Sequence, residues 1–206
     1  MSGAPGLAAV LFDMDGVLLR SEEAWLHVLE EAGRHFRGRP VTREEFQPTF
    51  GQGTEADVRV FALGCTPDEL NAFYAAHLPR FATGVWVNPE ARPVLEALGR
   101  RGLKRAVVTN TTTALARALL GAARLEGLFE ALSCADQVAL AKPAPDLLLH
   151  ALGQLGLEPH RALMVGDSRF DRGAASAARV RFVGFGLDGD VRIESLGELL
   201  ALLPAG

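Results

Sequence analysis

Two aspartates directly follow the first apolar segment, and this arrangement limits the folds that the chain can adopt. Residues 7–12 are all apolar, and the next residues are Asp13, Met14, Asp15 and Gly16. An apolar run of this kind is typical of a strand buried on both faces of a parallel sheet. Burying an unpaired carboxylate costs several kcal/mol or more, so the pair requires a cation, a proton or hydrogen-bond donors nearby. We expect the rest of the chain to supply them.

Further apolar runs, separated by helical patterns, predict the remainder of this sheet. Strands are expected at residues 7–12, 106–108, 131–134, 162–165 and 182–183. Helical periodicity fills the gaps between the later runs. This alternation, with continuously apolar strands, predicts an α/β fold in which a parallel sheet lies between two helical layers.

One long segment interrupts the alternation. Residues 17–85 show helix signals and no convincing strand. We predict that they form an inserted bundle of about four helices. Residues 1–16 and 86–206 are then expected to form the sheet-containing core.

Individual residues mark the helices expected in the insert. Ser21 is a candidate N-cap for a helix that closes at Gly33. Capping boxes are predicted at Thr42 and at Thr66, and a further helix start at Thr54.

Composition and charge argue against several classes of protein. The chain of 206 residues is long enough to bury its own core, and Cys65 and Cys134 lack disulfide or metal-ligand spacing. A formal net charge of −4 gives no support for nucleic-acid binding. The apolar segments are too short for a membrane span or a secretory leader. We therefore expect a cytoplasmic monomer or homodimer without nucleic-acid or membrane partners.

Polar residues follow four of the expected strands, at the point where each strand ends. The ligand crevice of a parallel α/β sheet lies outside these carboxyl ends, so the side chains are expected to meet. Several carboxylates in one place repel one another strongly unless a hard divalent cation, most simply Mg²⁺, lies between them. Mg²⁺ in turn indicates a phosphorylated substrate. The residues are Asp13, Asp15, Thr109, Asn110, Lys142, Asp167 and Asp171.

These residue types suit phosphoryl transfer through a covalent intermediate. Asp13 is expected to attack phosphorus and form an aspartyl-phosphate. Asp15 then protonates the leaving oxygen and later activates the water that hydrolyses the intermediate. Lys142, the Thr109 hydroxyl and nearby backbone N–H groups would hold the phosphoryl oxygens, and Gly16 is counted among the phosphate-binding residues.

The chain resembles the haloacid dehalogenase superfamily of phosphohydrolases, in the branch with a helical cap after the first strand and in the style of phosphoglycolate phosphatases. The four motifs of that family appear in order: DMDGV from Asp13, VVTN up to Asn110, KPAPD from Lys142 and VGDSRFD up to Asp171. The resemblance implies a Rossmann-like core, a cap that sets specificity and a phosphatase acting on a small phosphorylated metabolite. It implies the same nucleophile, acid and phosphate-binding residues as above.

The resemblance also implies a metal site. Mg²⁺ would be held by Asp13, Asp167 and the backbone carbonyl of Asp15, with Asp171 supporting these ligands. Asn110 would touch the phosphate or the substrate.

Two positions depart from the family pattern. Arg20 stands where similar proteins often have an acidic residue before the first cap helix. Similar proteins usually have an Ala-Gly pair at the end of the helix after the fourth motif, whereas this chain has Ala178 and Arg179. If Arg179 adopts the left-handed conformation, the strain is about 1–2 kcal/mol.

Parts of the insert are candidates for substrate contact. The glycine-rich segment 51–54 has the flexibility of a loop that reaches into the site, which makes Gln52 and Thr54 candidate specificity residues. The arginines within residues 34–39 are typical of a solvated loop, and the alternative is an arginine that reaches a second anion of the substrate. Trp25 is expected to pack in the core of the insert.

Other functions use parts of the same residue set. A sugar phosphomutase would use the whole residue set and return the phosphoryl group to a bound sugar phosphate. Only the insert therefore distinguishes a phosphomutase from a phosphatase. A 2-haloacid dehalogenase needs neither Asp15 nor the metal ligand Asp167. A non-enzymatic phospho-receiver domain would be much shorter and would lack the insert. The phosphatase is the leading prediction.

Overall fold

The computed structural model describes residues 6–82 and 85–203 of the chain. Eight strands lie in this part of the chain, six of them in one parallel sheet and two in a short ribbon. The strands are β1 (Ala9–Phe12), β2 (Leu19–Arg20), β3 (Trp86–Val87), β4 (Lys104–Thr109), β5 (Ala131–Cys134), β6 (Ala162–Gly166), β7 (Arg181–Phe185) and β8 (Val191–Ile193).

The strand order of the large sheet places the end of β1 at a topological switch point. The order is β5-β4-β1-β6-β7-β8, and every neighbouring pair is parallel. The chain adds β4 and β5 on one side of β1 and then crosses to add β6, β7 and β8 on the other. In open parallel sheets such a reversal opens a crevice at the carboxyl ends of the strands. Asp13 and Asp15 follow β1 at this position.

Helices cover both faces of the sheet, which confirms the predicted three-layer α/β arrangement. The helices in the described part of the chain are α1 (Glu22–Arg37), α2 (Arg43–Phe46), α3 (Thr54–Val60), α4 (Pro67–His77), α5 (Pro79–Ala82), α6 (Ala91–Arg100), α7 (Thr113–Ala122), α8 (Asp146–Leu155) and α9 (Arg169–Ala178). Within the described residues, none of them combines the length and apolar character needed to cross a membrane.

Alternation along β1 divides the core between two helical layers. Val10 and Phe12 belong to a buried cluster that includes side chains of α6 and α7, whereas Ala9 and Leu11 belong to a cluster with α8 and α9. All four residues are fully buried. The strand is therefore continuously apolar because both of its faces are covered.

The helices between β1 and β3 differ in part from the expectation. We expected about four, and the described residues contain five, of which α2 and α5 are single turns. The predicted end of α1 at Gly33 is wrong, because the helix continues to Arg37 and ends at Gly38 in the left-handed conformation. A Cβ atom on Gly33 would lie 2.7 Å from the carbonyl oxygen of Arg39, so this glycine allows the following loop to pack closely.

The capping residues predicted in this segment have different outcomes. Thr42 and Thr66 form complete capping boxes at α2 and α4. Thr54 is the first residue of α3, with Gly53 before it, and forms no cap. Ser21 occupies the N-cap position of α1 without a side-chain cap bond, and its hydroxyl donates to Asp15.

The expectation of no strand in residues 17–85 is wrong at β2. This two-residue strand pairs antiparallel with β3, and the Arg20 guanidinium lies 4.3 Å from the centre of the Trp86 ring. The ribbon brings together the two points where the chain leaves β1 and returns to the sheet. Two residues are too few to produce a recognisable strand pattern. The sequence also missed β8, which has only three residues.

Candidate active site

A cavity of about 250 Å³ lies between the carboxyl edge of the sheet and helices of the insert. Most of the predicted site residues line it, although they are widely separated in the sequence. Gly16 and Asp171 do not line the cavity but contact residues that do. The predicted residues in its wall are Asp13, Asp15, Gln52, Thr54, Thr109, Asn110, Lys142 and Asp167.

Lys142 binds two carboxylates at the base of the cavity. Its ammonium donates to Asp13 Oδ1 at 2.8 Å, to Asp171 Oδ1 at 2.7 Å and to the carbonyl oxygen of Val108 at 3.0 Å. These three bonds use every donor of the ammonium group. The side chain is buried, and burial opposes its charged form, but the two carboxylates outweigh burial and raise the pKa of Lys142. The lysine therefore stays cationic inside the protein.

Three carboxylates form a cluster that fits a divalent cation. Oxygen atoms of Asp13, Asp167 and Asp171 all lie within 4.8 Å of one another. Burial, and next the charge of Asp171, raise the pKa of Asp13 well above its ordinary value and that of Asp167 to about 7, while Lys142 opposes both. One ammonium thus leaves an excess of negative charge among oxygen ligands of the type that Mg²⁺ prefers. The donor set fits this ion.

Asp171 already uses both oxygens within the protein. Besides Lys142 on Oδ1, it accepts on Oδ2 from the backbone N–H of Ser168 at 3.1 Å and from the Ser168 hydroxyl. Ser168 in turn caps α9 by accepting from the Asp171 backbone. These bonds favour Asp171 as a support for Lys142 and for the start of α9, while Asp167 has more freedom to bind a cation.

Asp15 has different surroundings from Asp13. Its carboxylate accepts from the hydroxyl of Ser21 and, at 3.4 Å, from that of Thr111, and it lies outside the three-carboxylate cluster. Burial raises the pKa of Asp15, and the hydrogen bond from Ser21 opposes this effect. Ser21 and Thr111 were missed as site residues, although both are hydroxyl residues close in sequence to predicted ones.

Gly16 is a steric requirement of the carboxylate cluster. Its φ is 89°, a conformation that residues with a side chain rarely adopt, and a Cβ atom there would lie 1.8 Å from Asp167 Oδ2. The glycine therefore lets the chain after β1 pass directly beside this carboxylate.

The residues after β4 have separate roles in the structure. The Thr109 hydroxyl accepts from the Thr111 N–H at 3.1 Å, so its own proton remains available to a ligand. Asn110 uses both amide protons, one on the Gly51 carbonyl at 2.8 Å and one on the Lys142 carbonyl at 3.0 Å. Its Oδ1 accepts from the Lys142 N–H at 2.8 Å. Asn110 thus joins the insert to the loop that carries the lysine.

The insert contributes its own polar residues to the cavity. Gln52 Nε2 donates to Asp57 Oδ1 at 2.8 Å, and the Tyr74 hydroxyl donates to Asp57 Oδ2 at 2.9 Å. Thr54 donates to Asn71 at 2.8 Å. Asp57 was missed, although it lies three residues after Thr54 and so on the same face of a helix.

Two expectations about aromatic and basic residues of the insert can be compared with the structure. Trp25 packs edge-on against Tyr74, as expected for a core residue, but it also lines the cavity. The solvated loop expected for the arginines of residues 34–39 is wrong for Arg34 and Arg37, which belong to α1. The alternative of an arginine that reaches a substrate anion gains no support from the cavity wall. Arg37 and Arg39 both bond Glu45, and no arginine is among the described residues that line the cavity.

Comparison of the whole sequence with known families assigns the chain to one of them. A family model described as haloacid dehalogenase-like hydrolase matches residues 7–179, which include every predicted site residue. The chain belongs to the haloacid dehalogenase-like hydrolase family. This confirms the resemblance based on the four motifs.

Individual members of the haloacid dehalogenase-like family are similar to this hydrolase over most of its length. Phosphoglycolate phosphatase from Rhodospirillum rubrum is 34% identical over 187 residues, covering 85% of this chain and 78% of the relative. Pyrophosphatase PpaX from Bacillus pumilus is 26% identical over 207 residues, covering 95% and 96%. The crystal structure of a HAD-superfamily hydrolase, subfamily IA, variant 1, from Geobacter sulfurreducens has a TM-score of 0.73 at 28% identity, covering 98% of this chain and 99% of that one.

Proposed function

We propose that this protein is a Mg²⁺-dependent phosphatase that hydrolyses a small phosphorylated metabolite through an aspartyl-phosphate on Asp13. The observation that carries the proposal is the different setting of the two carboxylates after β1. Asp13 lies against the Lys142 ammonium and two further carboxylates, whereas Asp15 is held by hydroxyl groups away from that cluster. The names of the phosphatase and pyrophosphatase relatives support the same reaction class.

The hydrogen bonds of Asp13 indicate which oxygen attacks. Oδ1 accepts from the Lys142 ammonium and, at 2.7 Å, from the backbone N–H of Met14. Oδ2 remains for attack on phosphorus, with the leaving oxygen departing on the opposite side. Held in this orientation, the carboxylate needs little reorganisation to reach the substrate.

Asp15 is proposed as the group that moves protons. In the first step it gives a proton to the leaving alcohol oxygen, and in the second it takes one from the water that attacks the aspartyl-phosphate. Ser21 and Thr111 orient its carboxylate within the cavity.

We propose that several groups stabilise the negative charge on the transferred phosphoryl group. Thr109 donates its free hydroxyl proton, Lys142 contributes its positive charge, and Gly16 leaves backbone close to the phosphate. Bound Mg²⁺, held by Asp13, Asp167 and the backbone carbonyl of residue 15, would supply further positive charge to the phosphoryl oxygens.

The insert is proposed to act as a cap. We assign residues 17–85 to the cap and residues 1–16 and 86–206 to the catalytic core. Gln52 and Thr54 line the cavity from the cap side, and the Asn110 bond to Gly51 holds this loop against the core. Such closure excludes bulk water from the intermediate until the leaving group has departed.

Two further properties are part of the proposal. The protein is proposed to act in the cytoplasm on a small molecule, as a monomer or homodimer, without nucleic-acid or membrane partners. Light scattering of the purified protein measures its oligomeric state.

A turnover screen tests the proposed reaction. Release of inorganic phosphate is measured across small phosphate esters with Mg²⁺ and with a chelator, for the wild type, Asp13→Asn and Asp15→Asn. We expect losses of at least about 1,000-fold for Asp13→Asn and about 100-fold for Asp15→Asn. The matched control is Asp188→Asn, the same change at an exposed residue outside the cavity, and it should retain full activity.

The screen also distinguishes the competing reactions. Turnover without a divalent cation, or full activity of Asp13→Asn, would contradict the proposed mechanism. A rearranged phosphate ester in ³¹P NMR spectra, in place of inorganic phosphate, would instead identify a phosphomutase.

A further inference from the structure

Among the described residues, the cap side of the cavity carries a half-buried carboxylate, that of Asp57, and no cation. Among the described residues that line the cavity, Lys142 is the one cationic side chain, and its three donors are used at the base of the site. Asp57 lines the cavity from α3. A substrate whose phosphate lies beside Lys142 therefore meets negative charge, not positive charge, at its other end.

The hydrogen bonds of Asp57 leave it able to accept more. Each carboxylate oxygen accepts one bond, from Gln52 on Oδ1 and from Tyr74 on Oδ2. A carboxylate has about four acceptor positions, so about two remain for a ligand. The Gln52 side chain donates one amide proton to this carboxylate, and its amide oxygen is a further acceptor for a ligand. Burial raises the pKa of Asp57 to about 6, which leaves the group mostly ionised above neutral pH.

The remaining wall of the cavity combines apolar side chains with uncharged polar ones, among them Gln47, Thr49 and Thr112, and the space is small. A volume of about 250 Å³ suits a ligand of metabolite size. In such surroundings an unpaired anion beside Asp57 would lose its hydration and gain no counter-charge. The apolar residues are Trp25, Leu29, Phe46, Phe50 and Leu115.

We propose that Asp57 selects the leaving group, favouring phosphate esters whose alcohol part is neutral or cationic and carries hydroxyl or amino donors, and rejecting those with a second anionic group. This inference rests on the proposed phosphatase function and specifies its substrate class. It differs from what the names of the two relatives suggest, because glycolate and phosphate leaving groups are both anionic.

A binding series with one carbon skeleton tests the selection apart from turnover. The ligands are 2-hydroxyethyl phosphate, phosphoethanolamine and phosphoglycolate, which end in a hydroxyl, an ammonium and a carboxylate. Their dissociation constants are measured by calorimetry with Mg²⁺ on the full-length Asp13→Asn protein, which cannot consume them. We expect the first two to bind at least about tenfold more tightly than phosphoglycolate. Tighter or equal binding of phosphoglycolate, or binding of none of the three, would overturn the inference.

Variants assign the effect to Asp57. Added to Asp13→Asn, the change Asp57→Asn should reduce the preference for 2-hydroxyethyl phosphate over phosphoglycolate by about tenfold, because it removes the like charge and retains the shape. Asp68→Asn, the same change at an exposed position of α4, should leave the preference unaltered. An unchanged preference in Asp57→Asn would refute the assignment.

A third variant separates charge selection from support of the cap. Tyr74→Phe removes one hydrogen bond to Asp57 and retains the carboxylate. If Asp57 were only structural, Tyr74→Phe and Asp57→Asn would change all three affinities alike; we expect only Asp57→Asn to alter their order.

Turnover by the wild type is a separate measurement. Absence of phosphate release from every ester, with the binding order as expected, would contradict the proposed function and leave the selection by Asp57 supported.

Discussion

Replacing Lys142 by methionine should destabilise the protein through the carboxylates that it leaves behind. The variant retains most of the length of the side chain but removes charged hydrogen bonds to Asp13 and Asp171, at 2.8 and 2.7 Å. Removing one partner of a buried ion pair costs about 3–5 kcal/mol, because the remaining charge is buried without compensation. For a chain of this size, about 1 kcal/mol corresponds to about 2–4 °C in Tm. The expected decrease in Tm is therefore about 6–20 °C.

The chain provides a matched control for this experiment. Its other lysine, Lys104, donates only to the carbonyl oxygen of Leu155, at 2.7 Å, and is exposed. Lys104→Met should cost about 1 kcal/mol or less. Thermal unfolding followed by circular dichroism, in the presence of a chelator, measures both variants against the wild type.

The pH dependence of the Lys142→Met effect has a defined sign. Burial raises the pKa of Asp13, and Lys142 lowers it, so the variant should raise it further. A carboxyl with a higher pKa in the folded than in the unfolded chain binds more protons when folded, so stability increases as pH falls toward about 4. The difference in Tm between wild type and variant should therefore narrow from about pH 8 to about pH 5. A decrease equal to that of Lys104→Met, or a difference that widens as pH falls, would refute the reasoning.

Three further predictions concern strain, sterics and the metal. Arg179 has a φ of 58° at the end of α9, so Arg179→Gly should stabilise the protein by about 0.5–1 kcal/mol. Arg172→Gly, inside the same helix, should destabilise it by about 1 kcal/mol. Tm shifts of the same sign in the two variants would contradict this prediction. Gly16→Ala should lower kcat/KM by about 100-fold or more, because its Cβ would displace the Asp167 carboxylate, and near wild-type kinetics would exclude that contact. Mg²⁺ should raise Tm more at about pH 8 than at about pH 6, since Asp167 has a pKa of about 7 and protons compete with the cation; an equal increase at both would argue against this carboxylate as a ligand.

The fold was largely predictable because its signals are local. Continuous apolar runs identify strands that are buried on both faces, and Thr42 and Thr66 form capping boxes within four residues of chain. The elements that escaped prediction are short. β2 and β3 pair with each other across the whole insert, β8 pairs with the preceding strand β7, and a pattern of two or three residues carries no periodicity.

Individual side-chain roles were less predictable than their location. Ser21 has the sequence of a helix cap, yet its hydroxyl accepts no bond from the helix backbone and donates to Asp15. Asn110 was expected to touch the phosphate or the substrate, yet its amide joins two backbone segments. In each case the positions in space of the neighbouring groups decide which hydrogen bonds form.

The sequence by itself determined the α/β class, the family and the set of polar residues at the strand ends. It did so because these properties depend on residue type, order and short spacing along the chain. Only the tertiary structure decided which carboxylates pair with Lys142, why residue 16 must be glycine beside Asp167, and that Asp57 lines the cavity with no cation near it among the described lining residues. These properties depend on distances between segments far apart in the chain, where burial makes the pairing of every charge decisive.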